Sequence, residues 1–248
     1  MTETAVAGTP TRWELTGWRS EFGVVAGITG RGGGFDLGFR SPEPTADVLA
    51  RWEALQQALG PGFPGIVVGR QVHGSHVRTW PNTVSGWVVI DGVDGHLTRQ
   101  PGVLLTVTVA DCIPVFLAHP RSGSLALLHA GWRGVAAGIL EVGIRGLIAT
   151  CKCASDELIM HCGIGICGDC YEVGPEVRSA VLGGPEGDKG SLDLRAALLA
   201  RGSAAGVARR SSSTWCAAHH PEHFFSHRRS RGTDGRMVAY LGRPVPSP

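Results

Sequence analysis

The sequence predicts one α/β (α+β) domain built around a mixed sheet. Three observations lead there. The chain has 248 residues, 43% of them hydrophobic and 18% charged, which is enough apolar material for one sizeable core. Short apolar segments recur, some with period-two alternation and several as hairpin-like neighbours. Between them lie segments whose apolar residues return at three- and four-residue steps, the spacing of a helix face. Neighbouring strands with intervening helices make a layered fold, although strand order cannot be read from the pattern.

Each element has its own signal. Residues 1–12 read as a flexible leader, 13–243 as the domain and 244–248 as a Pro-rich tail. A strand is expected at 22–28 (FGVVAGI), followed by a Gly-rich loop at 30–34. That loop contains neither G-x-x-x-x-G-K-[ST] nor G-x-G-x-x-G, so it is no nucleotide fingerprint. Residues 47–59 read as a helix carrying Val48, Trp52, Leu55 and Leu59 on one face, stopped by Gly60-Pro61. Strands follow at 65–69, 75–80 and 87–90, and the clearest at 103–109 (VLLTVTV). There Val103, Leu105, Val107 and Val109 share one face. Strands at 114–118 and 124–128 lead into a helix running to about Ile148, weakened by Gly138, Gly143 and Gly146. Beyond it, strands are expected at 157–160, 207–208, 224–225 and 237–241, with helices at 174–182 and 194–200.

Composition narrows the function classes. A formal net charge of +2 is too small to argue for nucleic acid. His227-Arg228-Arg229 with Arg231 reads either as a solvated loop or as an anion site. No run reaches the ~18–20 apolar residues of a membrane span, and residues 1–10 lack the pattern of a secretory signal. The expected location is therefore a reducing cytoplasm, where the seven cysteines read first as thiols. Cys167-Gly-Asp-Cys170 is a C-x-x-C with no second C-x-x-C after it, and reads as structural thiols. Cys151 and Cys153 read as bystanders in a surface turn. His219, His220 and His223 read as a polar loop.

Three metal-capable side chains sit at the ends of apolar strands. His73 follows 65–69, Cys112 follows 103–109 and His129 follows 124–128. A rigid sheet can hold such residues at the rim of a cleft. The separations of 39 and 17 residues match no zinc finger, so only the fold could assemble the site. Two His and one Cys suit Zn²⁺ or a copper ion and leave a fourth position open for water or substrate. The same residues also admit a metal-free reading, a Cys112 thiolate paired with His129 or His73 and oriented by Asp111 or Asp94. Spacing does not separate the two.

Five blocks occur in order: QVHGSHV (71–77), TVADCIPVFL (108–117), HAGWRG (129–134), CYEVGPEV (170–177) and FFSHRRSRGTDGRM (224–237). They resemble the YfiH family, also called laccase-domain or multicopper polyphenol oxidase proteins, over roughly residues 22–241. The resemblance implies metal ligands at His73, Cys112 and His129. It implies a fold similar to the catalytic domain of cytotoxic necrotizing factor, a layered mixed β-sandwich flanked by helices. The implied activity is zinc-dependent phosphorolysis of adenosine, inosine, guanosine and S-methyl-5′-thioadenosine, with adenosine deamination beside it; copper is the other candidate metal. A purine nucleoside and phosphate would be the partners, and the chain a monomer or homodimer. On chemical grounds Cys112, His129, His73 and Asp111 are the catalytic candidates. Asp94, Trp132, Arg133, Arg228 and Arg229 are the substrate-binding candidates, with arginines for phosphate and Trp132 for a flat base. Four-electron oxygen reduction needs more His pairs than one triple supplies. Other readings are a copper-dependent polyphenol oxidase, a Cys-His hydrolase in peptidoglycan precursor editing, and a catalytically silent cell-wall or cell-division partner. The chain departs from the family pattern at 35–52, and at 163–171, where GIGICGDCY stands for the usual G-P-x-I-G-P-C-C-Y.

Overall fold

The alternating segments pair into two facing sheets in the computed structural model, which describes residues 2–39, 41, 43–185 and 187–245. The first sheet runs β1 (Thr4–Val6), β2 (Arg12–Glu14), β3 (Val25–Thr29), β15 (Met237–Gly242), β8 (Val103–Val109), β4 (Gly65–Arg70), β6 (Gly86–Asp91). The second runs β14 (Arg209–Ser212), β11 (Ile159–Cys162), β9 (Ile113–His119), β10 (Ser124–Ala130), β7 (Gly95–Thr98), β5 (Val77–Trp80). A short ribbon pairs β12 (Glu172–Val173) with β13 (Gly190–Ser191). The helices are α1 (Thr16–Phe22), α2 (Thr45–Leu59), α3 (Trp132–Ala136), α4 (Ile139–Cys151), α5 (Pro175–Leu182), α6 (Leu194–Ala204) and α7 (His227–Ser230). Both large sheets mix parallel and antiparallel pairs.

Side-chain alternation sets the layers. Val103, Leu105, Val107 and Val109 of β8 point between the sheets, where they meet Leu125 and Leu127 of β10 and Phe116 of β9. Leu104 points the other way, against Val48, Trp52 and Leu55 of α2. Ala126 and Leu128 of β10 face Ile139, Leu140, Ile144 and Leu147 of α4. The order helix, sheet, sheet, helix buries both faces of each sheet, which is why β9 and β10 read as continuous apolar runs. Each large apolar side chain so enclosed contributes about 1.5–3 kcal/mol. The α/β layered sandwich is the fold class expected.

Several boundaries differ from the sequence expectation. The strand expected at 22–28 begins at Val25, because Thr16–Phe22 wind into α1 and bury Trp18. The helix expected from 132 to 148 is two helices: Gly138 adopts φ +81°, a left-handed turn that breaks the ladder between α3 and α4. Phe224 and Phe225 form no strand, and pack into the inter-sheet core. The leader expected at 1–12 is tied down over its described part. β1 pairs antiparallel with β2, and the buried Glu3 carboxylate lies 3.0 Å from His161 Nε2 on β11 of the other sheet. Of the expected tail, residues 246–248 lie outside the described residues. Cys151 and Cys153, expected as thiols, are joined in a disulfide at the end of α4.

Candidate metal centre

Strand direction places the site. β4, β6 and β8 run parallel, so their carboxyl ends lie at one end of the first sheet. From each end the chain crosses to the second sheet: 71–76 joins β4 to β5, 92–94 joins β6 to β7, and 110–112 joins β8 to β9. These three crossovers carry His73, Asp94 and Cys112. Register then brings in the fourth residue. β10 is antiparallel to β9, with His129 opposite Pro114 and Ala130 opposite Ile113, so the end of β10 lies beside the crossover that holds Cys112.

The three side chains converge. One ring nitrogen from each of His73 and His129 and the Cys112 sulfur all lie within 4.8 Å of one another. The two imidazoles stand edge to face with centroids 4.8 Å apart. His129 is buried, Cys112 half-buried and His73 exposed, so the cluster opens toward solvent on the His73 side. Gly131 makes the room. A Cβ there would stand 3.0 Å from the Cys112 sulfur and 3.1 Å from His73 Cδ2. Two His and one Cys, around a space that one methyl group would fill, fit a Zn²⁺ or copper ion held by three protein ligands with one position left for reactant.

Asp94 organises this centre from behind. Its carboxylate accepts from the backbone N–H groups of Val72 (3.2 Å), His73 (2.9 Å) and Gly74 (2.8 Å), and lies 2.9 Å from His129 Nδ1. Burial works against the charge, but the hydrogen bonds from His129 and the His73 turn hold its pKa below the ordinary value. An ionised Asp94 requires His129 Nδ1 to carry a proton, which directs Nε2 to the cluster. Asp94 was expected among the substrate-binding residues. It is fully buried with its oxygens engaged by the His73 turn and His129, the arrangement of the imidazole-orienting carboxylate that the sequence also allowed. Gln71 does similar work: its side chain bonds the Thr108 amide at 2.7 Å and carbonyl at 2.8 Å, tying the end of β4 to β8. The 71–76 and 110–112 crossovers also store strain. His73 at φ +62° and Asp111 at φ +81° are non-glycine residues in the left-handed region, each costing about 1–3 kcal/mol.

Charge in the cluster is strongly coupled. Burial pushes the Cys112 thiol up, yet His129 and His73 pull it down to about 6. Burial pushes His129 down, yet Cys112 and Asp94 raise it to about 9. The sulfur is thus poised as the thiolate that a metal or an electrophile requires.

Asp111, expected among the catalytic residues, stands outside the His73–Cys112–His129 cluster. Its Oδ2 accepts from the Arg228 amide at 2.6 Å, holding α7 against the crossover, and burial raises its pKa. Trp132 and Arg133 open α3 directly after the His129 loop, and the guanidinium covers the indole at 4.4 Å. One face of the Trp132 indole is therefore covered by Arg133. Arg228 lies 4.8 Å over the ring of Tyr171 and donates to the Glu172 carbonyl at 2.7 Å. Arg229, expected with them, reaches the Ala218 carbonyl at 3.4 Å. Tyr171 was not singled out in the sequence. Burial raises its phenol to about 12, with the charges of Cys112 and Asp111 adding and those of Arg228 and Arg133 opposing, which puts it among those four residues. Its signal was its place in the CYEVGPEV block.

Comparison with known proteins places the chain. It is 32% identical over 216 residues to a purine nucleoside phosphorylase, ORF3, of Streptomyces griseus, covering 84% of this chain and 87% of that protein. It is 32% identical over 210 residues to adenosine deaminase RL5 of an unknown prokaryotic organism, covering 76% of this chain and 79% of that one. The crystal structure of YlmD from Geobacillus stearothermophilus superposes with a TM-score of 0.89 at 29% identity, over 98% of this chain and 100% of that one. A family model described as multi-copper polyphenol oxidoreductase laccase matches residues 21–244. The chain belongs to that family, which takes in the YlmD and YfiH proteins.

Proposed function

We propose that this protein is a metal-dependent purine nucleoside phosphorylase that also deaminates adenosine, with His73, Cys112 and His129 as the ligands of one Zn²⁺. The observation that carries the reading is the convergence of three donor atoms within 4.8 Å around a half-exposed sulfur. The names of relatives about one-third identical supply the substrate class. When bound, such an ion polarises an oxygen and lowers the pKa of a coordinated water toward about 7.

The chain's own residues define the rest. Asp94 holds a proton on His129 Nδ1, so the proton that His129 would give up on holding a metal is the one on Nε2. Gly131 keeps the space before the sulfur clear. Arg133 and Arg228 flank Tyr171 and supply planar, permanently charged donors for phosphate. Phosphorolysis needs phosphate held in line with the anomeric carbon, whereas deamination needs only water, so the arginines serve the first reaction and not the second. Incubation with adenosine and phosphate, read by chromatography for adenine, inosine and ribose 1-phosphate, tests the proposal. Adenine formation dependent on phosphate supports it, and no turnover of any purine nucleoside ends it.

A second reading rests on the Cys112–His129–Asp94 relay, which has the composition of a nucleophile, base and orienting carboxylate. It makes the protein a metal-free hydrolase of an amide or cell-wall precursor. Activity that survives complete metal removal selects it.

A further inference from the structure

A second convergence of soft ligands lies outside this centre. Cys167, Cys170, Cys216 and His219 place three sulfurs and one ring nitrogen within 4.8 Å of one another. Two remote segments each deliver a pair at the same spacing: Cys167-Gly-Asp-Cys170, and Cys216-Ala-Ala-His219. Each pair sits on a tight turn. The Cys170 amide donates to the Cys167 carbonyl at 3.2 Å, and the His220 amide to the Cys216 carbonyl at 3.1 Å.

The main chain locks the two turns face to face. Gly165 and Cys216 form a parallel bridge, and the Ala217 amide donates to the Gly165 carbonyl at 2.9 Å. The Cys167 amide donates to the Cys216 sulfur at 3.3 Å, and the Cys167 sulfur lies 3.8 Å from His219 Nδ1. The three cysteines are free thiols. Cys216 is buried, Cys167 and Cys170 half-buried and His219 exposed, so the cluster closes from core to surface.

We infer that Cys167, Cys170, Cys216 and His219 form a structural Zn²⁺ site separate from the His73–Cys112–His129 centre. Three thiolates and one imidazole are a common closed zinc set, soft enough to exclude magnesium and calcium. Around tetrahedral zinc, with bonds of about 2.3 Å, neighbouring sulfurs stand about 3.8 Å apart. The observed spread needs only a small contraction to reach that. Four protein ligands leave no position for a reactant, so the site braces and does not catalyse. What it braces is the wall of the other centre. The Ile166 amide donates to the Asp111 carbonyl at 2.9 Å, one residue from Cys112, and Cys170 directly precedes Tyr171. Arg229 is anchored on the Ala218 carbonyl within the second turn.

The test uses the full chain with Cys112→Ala as background, so that the first centre contributes no sulfur. Purified Cys112→Ala protein, equilibrated with zinc and dialysed, is expected to retain one zinc per chain. Adding Cys167→Ser and Cys170→Ser is expected to remove it. Cobalt(II) in the Cys112→Ala protein is expected to show the intense charge-transfer absorption of three thiolates. If the double cysteine change prevents folding, His219→Ala, on an exposed residue, is expected to weaken zinc retention at least tenfold while keeping the three-thiolate absorption. A Cys112→Ala protein that keeps no zinc, or whose Cys167 and Cys170 are joined in a disulfide by mass analysis, overturns the proposal. Neither result bears on zinc bound by the first centre, because wild-type metal content is measured in parallel.

Discussion

The Asp94 Oδ1 and His129 Nδ1 atoms lie 2.9 Å apart, with both side chains sealed from solvent. The same carboxylate collects three amides from the His73 turn. One buried charge therefore sets the orientation of His129 and of the His73 turn, 56 residues apart in the chain. Asp94→Asn turns one of those acceptor oxygens into a donor facing other donors. The expected result is a 10–100-fold loss of metal affinity, the range seen when a ligand's supporting partner is removed. A destabilisation of about 3 kcal/mol should accompany it. Zinc titration and urea denaturation measure the two, and an unchanged zinc affinity would refute the positioning role.

Gly131→Ala separates the space in the centre from its ligands. Gly131 has φ −77° and ψ 166°, a conformation alanine adopts freely, so the backbone tolerates the change. The added methyl meets the Cys112 sulfur and the His73 ring. Metal occupancy and turnover are expected to fall at least tenfold while the urea midpoint stays close to wild type. A variant that binds metal normally would show that the ion sits elsewhere.

Arg133→Ala and Arg228→Ala are expected to divide the two proposed reactions. A charge-assisted hydrogen bond contributes about 1.5–3 kcal/mol, so the KM for phosphate should rise about tenfold or more in each variant. Deamination of adenosine uses no phosphate and should keep its kcat. Equal losses in both reactions would mean that these arginines hold the nucleoside or the fold.

His96 gives the stability a pH dependence. Its ring is buried, takes a hydrogen bond from Trp80 Nε1 at 3.1 Å, and is pushed by burial down to about 3. The unfolded chain takes up that proton near 6.5 and the folded chain does not, so the folded state loses stability as pH falls from about 6.5 toward 3. The slope from this one group is about 1.4 kcal/mol per pH unit. His96→Gln, which retains an acceptor for Trp80, is expected to flatten the urea midpoint over that interval. A variant that parallels wild type would place the acid sensitivity elsewhere.

Much of this was legible in the chain. Strict alternation marked β8, and the helix spacing of Val48, Trp52 and Leu55 marked α2. His73, Cys112 and His129 stood out because each ended an apolar run. The pairing of strands was not legible, and it decided the roles of Asp94 and Asp111. Only the parallel run of β4, β6 and β8 shows that the crossover with Asp94 reaches His129 while Asp111 faces α7. The pairing of β1 with β2 was not legible either, because the buried contact of Glu3 with His161 spans 158 residues. Cys216-Ala-Ala-His219 is hidden in the sequence for a related reason. The partner of Cys167-Gly-Asp-Cys170 is a C-x-x-H and not a second C-x-x-C, and only the fold sets the two side by side.

The three crossovers have a mechanical consequence. His73 and Cys112 ride on links between the sheets, and His129 belongs to the second sheet alone. Sliding one sheet over the other by an ångström or two would pull these donors apart before a single strand pairing broke. Loss of catalysis on mild heating or low urea should therefore precede any change in circular dichroism, so the His73–Cys112–His129 triple acts as a strain gauge for the sandwich.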